Sequence, residues 1–386
     1  MTVNKLLISS LSLVFAASFA HAQDTPTQDP EKQQLKQELQ DLKDQQKQMQ
    51  DAFEKRIKTL EDKLSKSQPA APKANMLSGF GPIQFDGVVQ GRFDTDSAGN
   101  DTFWIRRSEL KLSGRISSKA DWAVMIDPAK TLKLTTSKTA GNVTDVSVDQ
   151  SSKILQDAWV GYQFTPQVRA EVGQQKVPFS YEGLHSASAL DVIERALFLS
   201  VGKYGDIRDI GLQVKGKWDQ VQATAAVMNG EGESQNNKDS NPQKAVGGRV
   251  VFAPTKVKGL QVGVSGLTEI APNENRRDRV GAEIQYKNDK LTLRAEYAAA
   301  LQDKLRGFGW YAHAGYYLNP KLEGVLRYDT FTPDRNTSAS KEEDWLGGLN
   351  YYLTGNTKVQ VNYIHKRFFN GLPINNQLLI SYQVAW

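Results

Sequence analysis

The chain has 386 residues, with 48 basic and 43 acidic side chains, a formal net charge of +5 and no cysteine. Without cysteine there are no disulfides, thiolate zinc sites or thiol chemistry, and a charge this small, interspersed with acids, gives no case for nucleic acid as a partner. Hydrophobic residues make up 39% and mean hydropathy is −0.51; past the N-terminus no run approaches the roughly 20 apolar residues of a spanning helix, which excludes a helical membrane protein.

Residues 1–22 read as a secretory signal peptide: Lys5 is the positive end, Leu6 to Ala20 the apolar run, and Ala20-His21-Ala22 the small-residue cleavage pattern. The mature chain is expected to leave the cytoplasm. Residues 23–30 form a polar linker with Pro26 and Pro30. From Glu31 to Lys66 there is no Gly or Pro, and Leu35, Leu39, Leu42, Met49, Phe53, Ile57, Leu60 and Leu64 recur at spacings of three, four or seven. Gln46 fills the core position between Leu42 and Met49. The spacing predicts a helix over 31–66 with about five heptads of a coiled coil, loosened by a 4-4 step at Phe53–Ile57; a solvated spacer is the alternative. A Pro/Ala linker over 67–78 ends it.

From residue 79 to 386 the period changes to two. Ile83, Phe85, Val89 and Phe93 alternate with Gln84, Asp86, Gln90 and Arg92, and the pattern repeats in runs of about ten residues up to Tyr382, Val384 and Trp386. Charges sit in the middle of the polar faces, where a sandwich would turn them outward and a barrel would turn them to a water-filled lumen. Aromatics such as Phe85, Phe93, Tyr162, Phe164, Tyr316 and Tyr328 cluster near strand ends, as interfacial girdles do. About sixteen strands fit without a second periodicity, and backbone satisfaction in lipid requires closure. The expected fold is all-β: a closed 16-stranded antiparallel transmembrane β-barrel, preceded by an N-terminal coiled-coil helix.

The segments Ile105-Arg106-Arg107-Ser108-Glu109-Leu110, Val172-Gly173-Gln174-Gln175-Lys176-Val177-Pro178-Phe179, Ile193-Glu194-Arg195-Ala196-Leu197, Arg208-Asp209-Ile210-Gly211-Leu212 and Gly348-Leu349-Asn350-Tyr351-Tyr352-Leu353 together resemble the phosphate-selective porin O and P family. The resemblance covers most of residues 80–386. It implies a homotrimeric channel embedded in outer-membrane lipid, with the helix at 31–66 in the periplasm, inorganic anions such as phosphate as solutes and the aromatic end Trp386 presented to the outer-membrane assembly machinery.

A channel selects by the charge and width of its narrowest part. The non-alternating stretch 180–209 is the candidate constriction loop, and it carries His185, Arg195, Lys203 and Arg208 among slightly more numerous acids. On the lumen parity stand Arg92, Arg107, Lys111, Arg115, Arg169, Lys215, Arg249, Arg294 and Arg327. Arginine suits oxyanions because its planar fork bonds two oxygens at once. Arg107, Lys111 and Arg115 form a basic ladder with steps of roughly 13 Å. The expected function is a passive, anion-preferring porin. A weakly selective diffusion porin is one alternative; an envelope tether acting through its coiled coil is the other.

No enzyme, cofactor or metal is expected. Asp94-Thr95-Asp96-Ser97-Ala98-Gly99 resembles the start of a calcium loop, but Ala98 takes a ligand position and Ile105 stands where the distal Glu belongs. His185, His313 and His365 are scattered, and the only formal Ser–His pair, His365 with Ser381, has opposed parity.

Overall fold

The computed structural model describes residues 30–67, 81–97, 99, 101–130, 133–139, 142–149, 154–230, 238–239, 241–270, 276–337 and 340–386. The expected signal peptide 1–22 lies outside the described residues, as do the linkers 23–30 and 67–78 except for Pro30 and Ser67. The chain divides into two units, Met1–Lys73 and Ala74–Trp386.

The first unit holds one helix, α1 (Pro30–Ser67), of 38 residues. Its length follows from an unbroken run of strong helix formers without Gly or Pro. Leu39, Leu42, Met49, Phe53 and Ile57 are each more than half exposed, so the apolar stripe is presented to solvent.

The second unit is a closed barrel with one accessory hairpin. Its first strands are β1 (Ile83–Asp96), β2 (Thr102–Arg115), β3 (Ala120–Ile126), β4 (Lys133–Thr139), β5 (Asn142–Asp149) and β6 (Leu155–Gln163). Then come β7 (Val168–Lys176), β8 (Arg208–Lys217), β9 (Val221–Met228), β10 (Ala245–Phe252), β11 (Leu260–Ile270) and β12 (Arg276–Lys287). The last are β13 (Leu291–Gln302), β14 (Leu305–Asn319), β15 (Leu322–Thr332), β16 (Glu342–Thr354), β17 (Thr357–Phe368) and β18 (Asn375–Ala385). β4 and β5 pair only with each other, in the connection from β3 to β6; the other sixteen run antiparallel around the barrel, and β1 closes on β18. The expected count of sixteen is met, and the period-2 pattern gives the inner and outer faces as read.

Turns at one end are short and chemically specified. Asn288 accepts the backbone N–H groups of Lys290 and Leu291 at 2.9 and 2.8 Å, and Asn319 does the same for Lys321 and Leu322. The opposite end carries the longer connections, including the accessory hairpin. On the outer face aromatic pairs gather near the strand ends, such as Tyr162 with Phe164, and Tyr328 between Trp310 and Trp345.

One connection turns inward. Between β7 and β8, residues 177–207 carry two single-turn helices, α2 (Tyr181–Leu184) and α3 (Leu197–Ser200), and are largely buried against the inner wall. Phe179, Leu197, Phe198 and Tyr204 pack with Met228, Leu267, Tyr311 and Phe331. Val192 and Ile193 pack on an apolar patch of the inner face, Val325, Leu346, Ile364 and Leu379. The segment is shorter than the expected 180–209 at its C-terminal side. Arg208 and Asp209 already belong to β8, because the ladder pairs them with Lys176 and Gln175.

The seam of the barrel is locked at Gly87. Its N–H donates to the Trp386 carbonyl and its carbonyl accepts the Trp386 N–H, each at 3.1 Å, while the Trp386 indole covers the space a Cβ would fill. Gly87→Val therefore displaces the indole and opens the last ladder contacts, an overpacking cost of about 1–3 kcal/mol. The expected result is a lower unfolding temperature and a reduced fraction of the heat-resistant compact band on gels. An unchanged band would show that Trp386 is not needed at the seam.

Candidate functional site

Among the charged side chains of the inner wall, some are covered by residues 177–207 and others face the remaining space. Arg327 donates to Glu182 at 3.1 Å and to Asp329 at 2.8 Å, with its guanidinium 4.1 Å from the Tyr311 ring centre. Arg294 donates to Asp191 at 3.0 Å and lies over the Tyr181 ring. Both stand on the inner wall, as their parity requires, yet each is less than a tenth exposed. The expectation that they line open water is thereby corrected, as it is for Arg92, equally buried and paired with Asp94 and Glu194: all three anchor the inserted segment.

Glu296 does the same from β13. Its carboxylate accepts the N–H groups of Tyr181 and Glu182 at 2.8 and 2.9 Å, satisfying the orphan donors at the start of α2. It also accepts hydroxyl bonds from Ser180 and Tyr311, each at 2.6 Å. Ser180 is held at φ 68°, a left-handed conformation uncommon for a residue with a Cβ.

The segment's own charges divide likewise. Burial disfavours the ionised Glu182, but Arg327, Arg195 and Arg294 outweigh that cost and hold its pKa below the usual carboxylate range. His185 stacks on Tyr181 at 4.5 Å, and burial together with Arg294 pushes it down to about 4. It is neutral at pH 7 and adds no positive charge, contrary to its place among the expected loop cations. Arg195 donates to the backbone carbonyls of Glu182 and His185 and pairs with Asp206 at 2.8 Å.

The other face of the segment borders a cavity of about 350 Å³, lined by Arg106, Arg107, Lys130, Arg195, Lys203 and Arg208 with only two acids, Glu194 and Asp206. Both acids are already matched. Asp206 takes Lys176 at 2.7 Å and Arg195; burial opposes its charge, but these cations and Arg208 hold its pKa below the usual range. Glu194 accepts a short bond from Arg92 and lies 3.6 Å from Arg106; burial opposes its charge too, and the two arginines overcome it.

A β-bulge supplies the density of cations. Gln90 pairs with Arg107, but the next residue, Gly91, pairs with Ile105, so Arg106 is the extra residue. Arg106 and Arg107 consequently both line the cavity, although simple alternation sends Arg106 outward. The guanidiniums of Arg92 and Arg106 lie 5.0 and 5.4 Å from the Trp104 ring centre, which orients them. Arg107 is steadied by Gln90 at 2.8 Å and lies 3.4 Å from Glu109. Lys130, unmarked by any strand pattern, reaches in from the connection after β3 and bonds Gln156 at 2.9 Å. Arg208, on β8, bonds Asp157 at 2.7 Å.

Farther along the wall, Lys111 and Arg115 share the face of Arg107 on β2, both with solvent access. Arg169 pairs with Asp121 at 2.9 Å and Glu171 at 3.1 Å, while Lys215 pairs with Glu171 and Arg249 with Glu283. The remaining expected constellations are spent otherwise. Asp94 accepts bonds from Arg92 and Trp104, and Asp96 from Asn375 and Gln377, as part of the strand-end lattice. His365 faces Asn376 and Trp345 in the ladder, whereas Ser381 is opposite Arg92 and Gln360. Among the described residues no group of three or more His, Asp or Glu could hold a metal.

The family profile described as phosphate-selective porin O and P matches residues 79–277 and 267–368. No curated protein sequence matches the chain. Among solved structures, an anion-selective porin from Comamonas acidovorans aligns with a TM-score of 0.56 at 12% identity, covering 79% of this chain and 99% of that one. The outer membrane channel DcaP of Acinetobacter baumannii aligns at 0.53 and 13% identity, over 78% and 97% of the two chains. A loop-deletion form of OmpT from Vibrio cholerae aligns at 0.54 and 12%, over 80% and 100%. At such identities these likenesses establish the fold.

The cavity makes a pH prediction. Burial, with repulsion from Arg208 and Arg107, lowers the Lys130 pKa to about 8, so its charge is present below that value and lost above it. Sulfate is a dianion across this range and isolates the protein's titration. Its affinity, measured by calorimetry, should fall roughly two- to fivefold between pH 7 and 9, as for one partly screened charge. Lys130→Arg should flatten the profile; an unaltered slope in that variant would remove Lys130 from the site.

Proposed function

The chain belongs to the phosphate-selective porin O and P family, a channel of the outer membrane, and from that premise we propose that it passes anions in preference to cations and holds phosphate-type oxyanions transiently on its way across. The observation that carries this reading is the bulge that points Arg106 and Arg107 into one cavity with Lys130 and Lys203. A phosphate entering there exchanges hydration for planar guanidinium forks, which bond two oxygens at once. Lys111 and Arg115 continue the positive wall on β2, and Arg169, Lys215 and Arg249 add cations whose paired carboxylates keep the attraction shallow. Shallow binding suits conduction, because an ion must leave as readily as it enters.

The mixed charge of that wall favours a second reading in the same class, a general porin of weak selectivity. Purified protein in a planar bilayer under a salt gradient separates the two. Wild type should show a reversal potential on the anion side and chloride current reduced by added phosphate. Arg106→Gln/Arg107→Gln should shift the reversal potential towards neutral and raise the phosphate needed for block about tenfold, as expected for loss of charge-assisted bonds. A cation-side potential in wild type would sink the anion reading.

For the N-terminal unit we propose a periplasmic coiled coil of a homotrimer, supported by the exposed stripe of α1. A stripe spaced in heptads is buried when like helices pair. The signal peptide at 1–22 and the engagement of the assembly machinery by Trp386 belong to the same reading. Deleting residues 31–66 should weaken the trimer on semi-native gels while each barrel still conducts. Trimers of unchanged heat resistance would assign assembly to the barrels alone. Loss of envelope attachment with intact conductance would favour the tether.

A further inference from the structure

A different face of the barrel holds a second cavity, of about 550 Å³, on the outside of β12, β13 and β14. Its floor follows from cross-strand register. Ala299 lies between Val280 on β12 and Phe308 on β14, so a methyl group stands where the neighbouring positions carry large side chains. Tyr297 packs against Phe308 with ring centres 6.4 Å apart and forms one flank, and Leu301 forms the next level up. The result is an apolar notch open to the membrane.

At the upper edge the chemistry changes. Arg306, opposite Leu301 at the start of β14, and Arg335, just beyond β15, are joined through a backbone bond of 2.8 Å from Arg335 N to Arg306 O. Both are exposed. Neither guanidinium forms an ion pair among the described residues, since Asp278, the carboxylate of this cavity, is held by Arg276 at 2.7 Å and Thr268 at 2.6 Å. Four residues down β14, roughly 13 Å along the strand, Trp310 packs with Tyr328 as part of the aromatic girdle. Girdle aromatics mark the membrane–water interface, so the two arginines stand on its outer side, with Ala299 and Phe308 between them and the girdle. The end they occupy carries the long connections, which in such barrels faces the cell exterior.

We infer that this notch binds a phosphorylated acyl glycolipid of the outer leaflet, with one acyl chain over Ala299 and an anionic headgroup phosphate across Arg306 and Arg335. The inference rests on the outer-membrane barrel and is independent of what the channel conducts. Charge decides the occupant: two neighbouring guanidiniums without an ion pair among the described residues, above an apolar floor, complement a phosphate above a hydrocarbon chain. A second copy of this chain would have to bring a carboxylate to the same height.

The test uses the full-length protein in detergent, titrated with bisphosphorylated hexa-acyl lipid A and, in parallel, with its dephosphorylated form, and read by native mass spectrometry. Wild type should bind the phosphorylated lipid at least tenfold more tightly than the dephosphorylated one, the contrast expected from charge-assisted bonds. Arg306→Gln/Arg335→Gln, two exposed positions whose change leaves the ladder intact, should abolish that contrast. Ala299→Phe should weaken both lipids equally by filling the notch, and heat-modifiable gel mobility confirms that each variant is folded. Equal binding of both lipids by wild type, or an undiminished contrast in the double variant, would overturn the proposal. A change of oligomeric state in Ala299→Phe with lipid binding intact would overturn it in favour of a second copy.

Discussion

The interior of this barrel depends on one guanidinium that water does not reach. Arg327 stands on β15 almost fully buried, and a buried charge left alone costs several kcal/mol. Its partners come from two places: Asp329 on the same strand, and Glu182 on the inserted segment. Part of the charge balance of the barrel wall therefore comes from outside its strands. Glu182 in turn accepts the backbone N–H of Ala196 at 3.0 Å, which fixes the two ends of the inserted segment relative to one another. Removing Arg327 would leave Glu182 buried without its ion pair, so wall and insert are energetically coupled.

That mutual dependence makes the lumen lopsided. The insert is fastened to β13 through β18 by Glu296, Asn350, Lys358 and Gln383, all bonded to its polar groups, and by the apolar contact of Ile193 with Val325 and Leu379. The side chains left with solvent access are concentrated on β2, β3, β7 and β8, where Lys111, Arg115, Asp121, Arg169 and Lys215 lie. Beside them the insert leaves the cavity in which its exposed Lys203 faces Arg106 and Arg107 of β2.

Much of this was legible in the sequence because a strand with one wet and one lipid face writes its orientation into every second residue. The strand number, the closing antiparallel meander and the inner parity of Arg92, Arg107 and Arg169 followed from that period. What escaped did so for identifiable reasons. A bulge adds one residue without any compositional mark, so simple alternation gives no reason to place Arg106 beside Arg107 on the inner side. Lys130 lies in a connection, where no period exists to aim it. Val325, Leu346 and Ile364 are apolar on the inner face, against the rule for a wet lumen, because a buried insert covers them. His185 reads as a cation by type, and only its burial beside Arg294 makes it neutral. The helix over 31–66 was plain from its composition, which carries no Gly or Pro to stop it.

Glu194 gives the cavity a property that a bare cluster of cations would lack. Its carboxylate is attached to the same molecule as Arg92 and Arg106 and sits against both. The local concentration of this internal competitor is fixed by the backbone, on the scale of a tethered ligand, and dilution cannot remove it. The two guanidiniums are consequently not bare, and an oxyanion held there as proposed would gain them by substitution and leave them to the carboxylate. On the proposed reading, residence is then set by a swap between two anions rather than by release into water, and the same fixed carboxylate lowers the positive charge that draws a solute in.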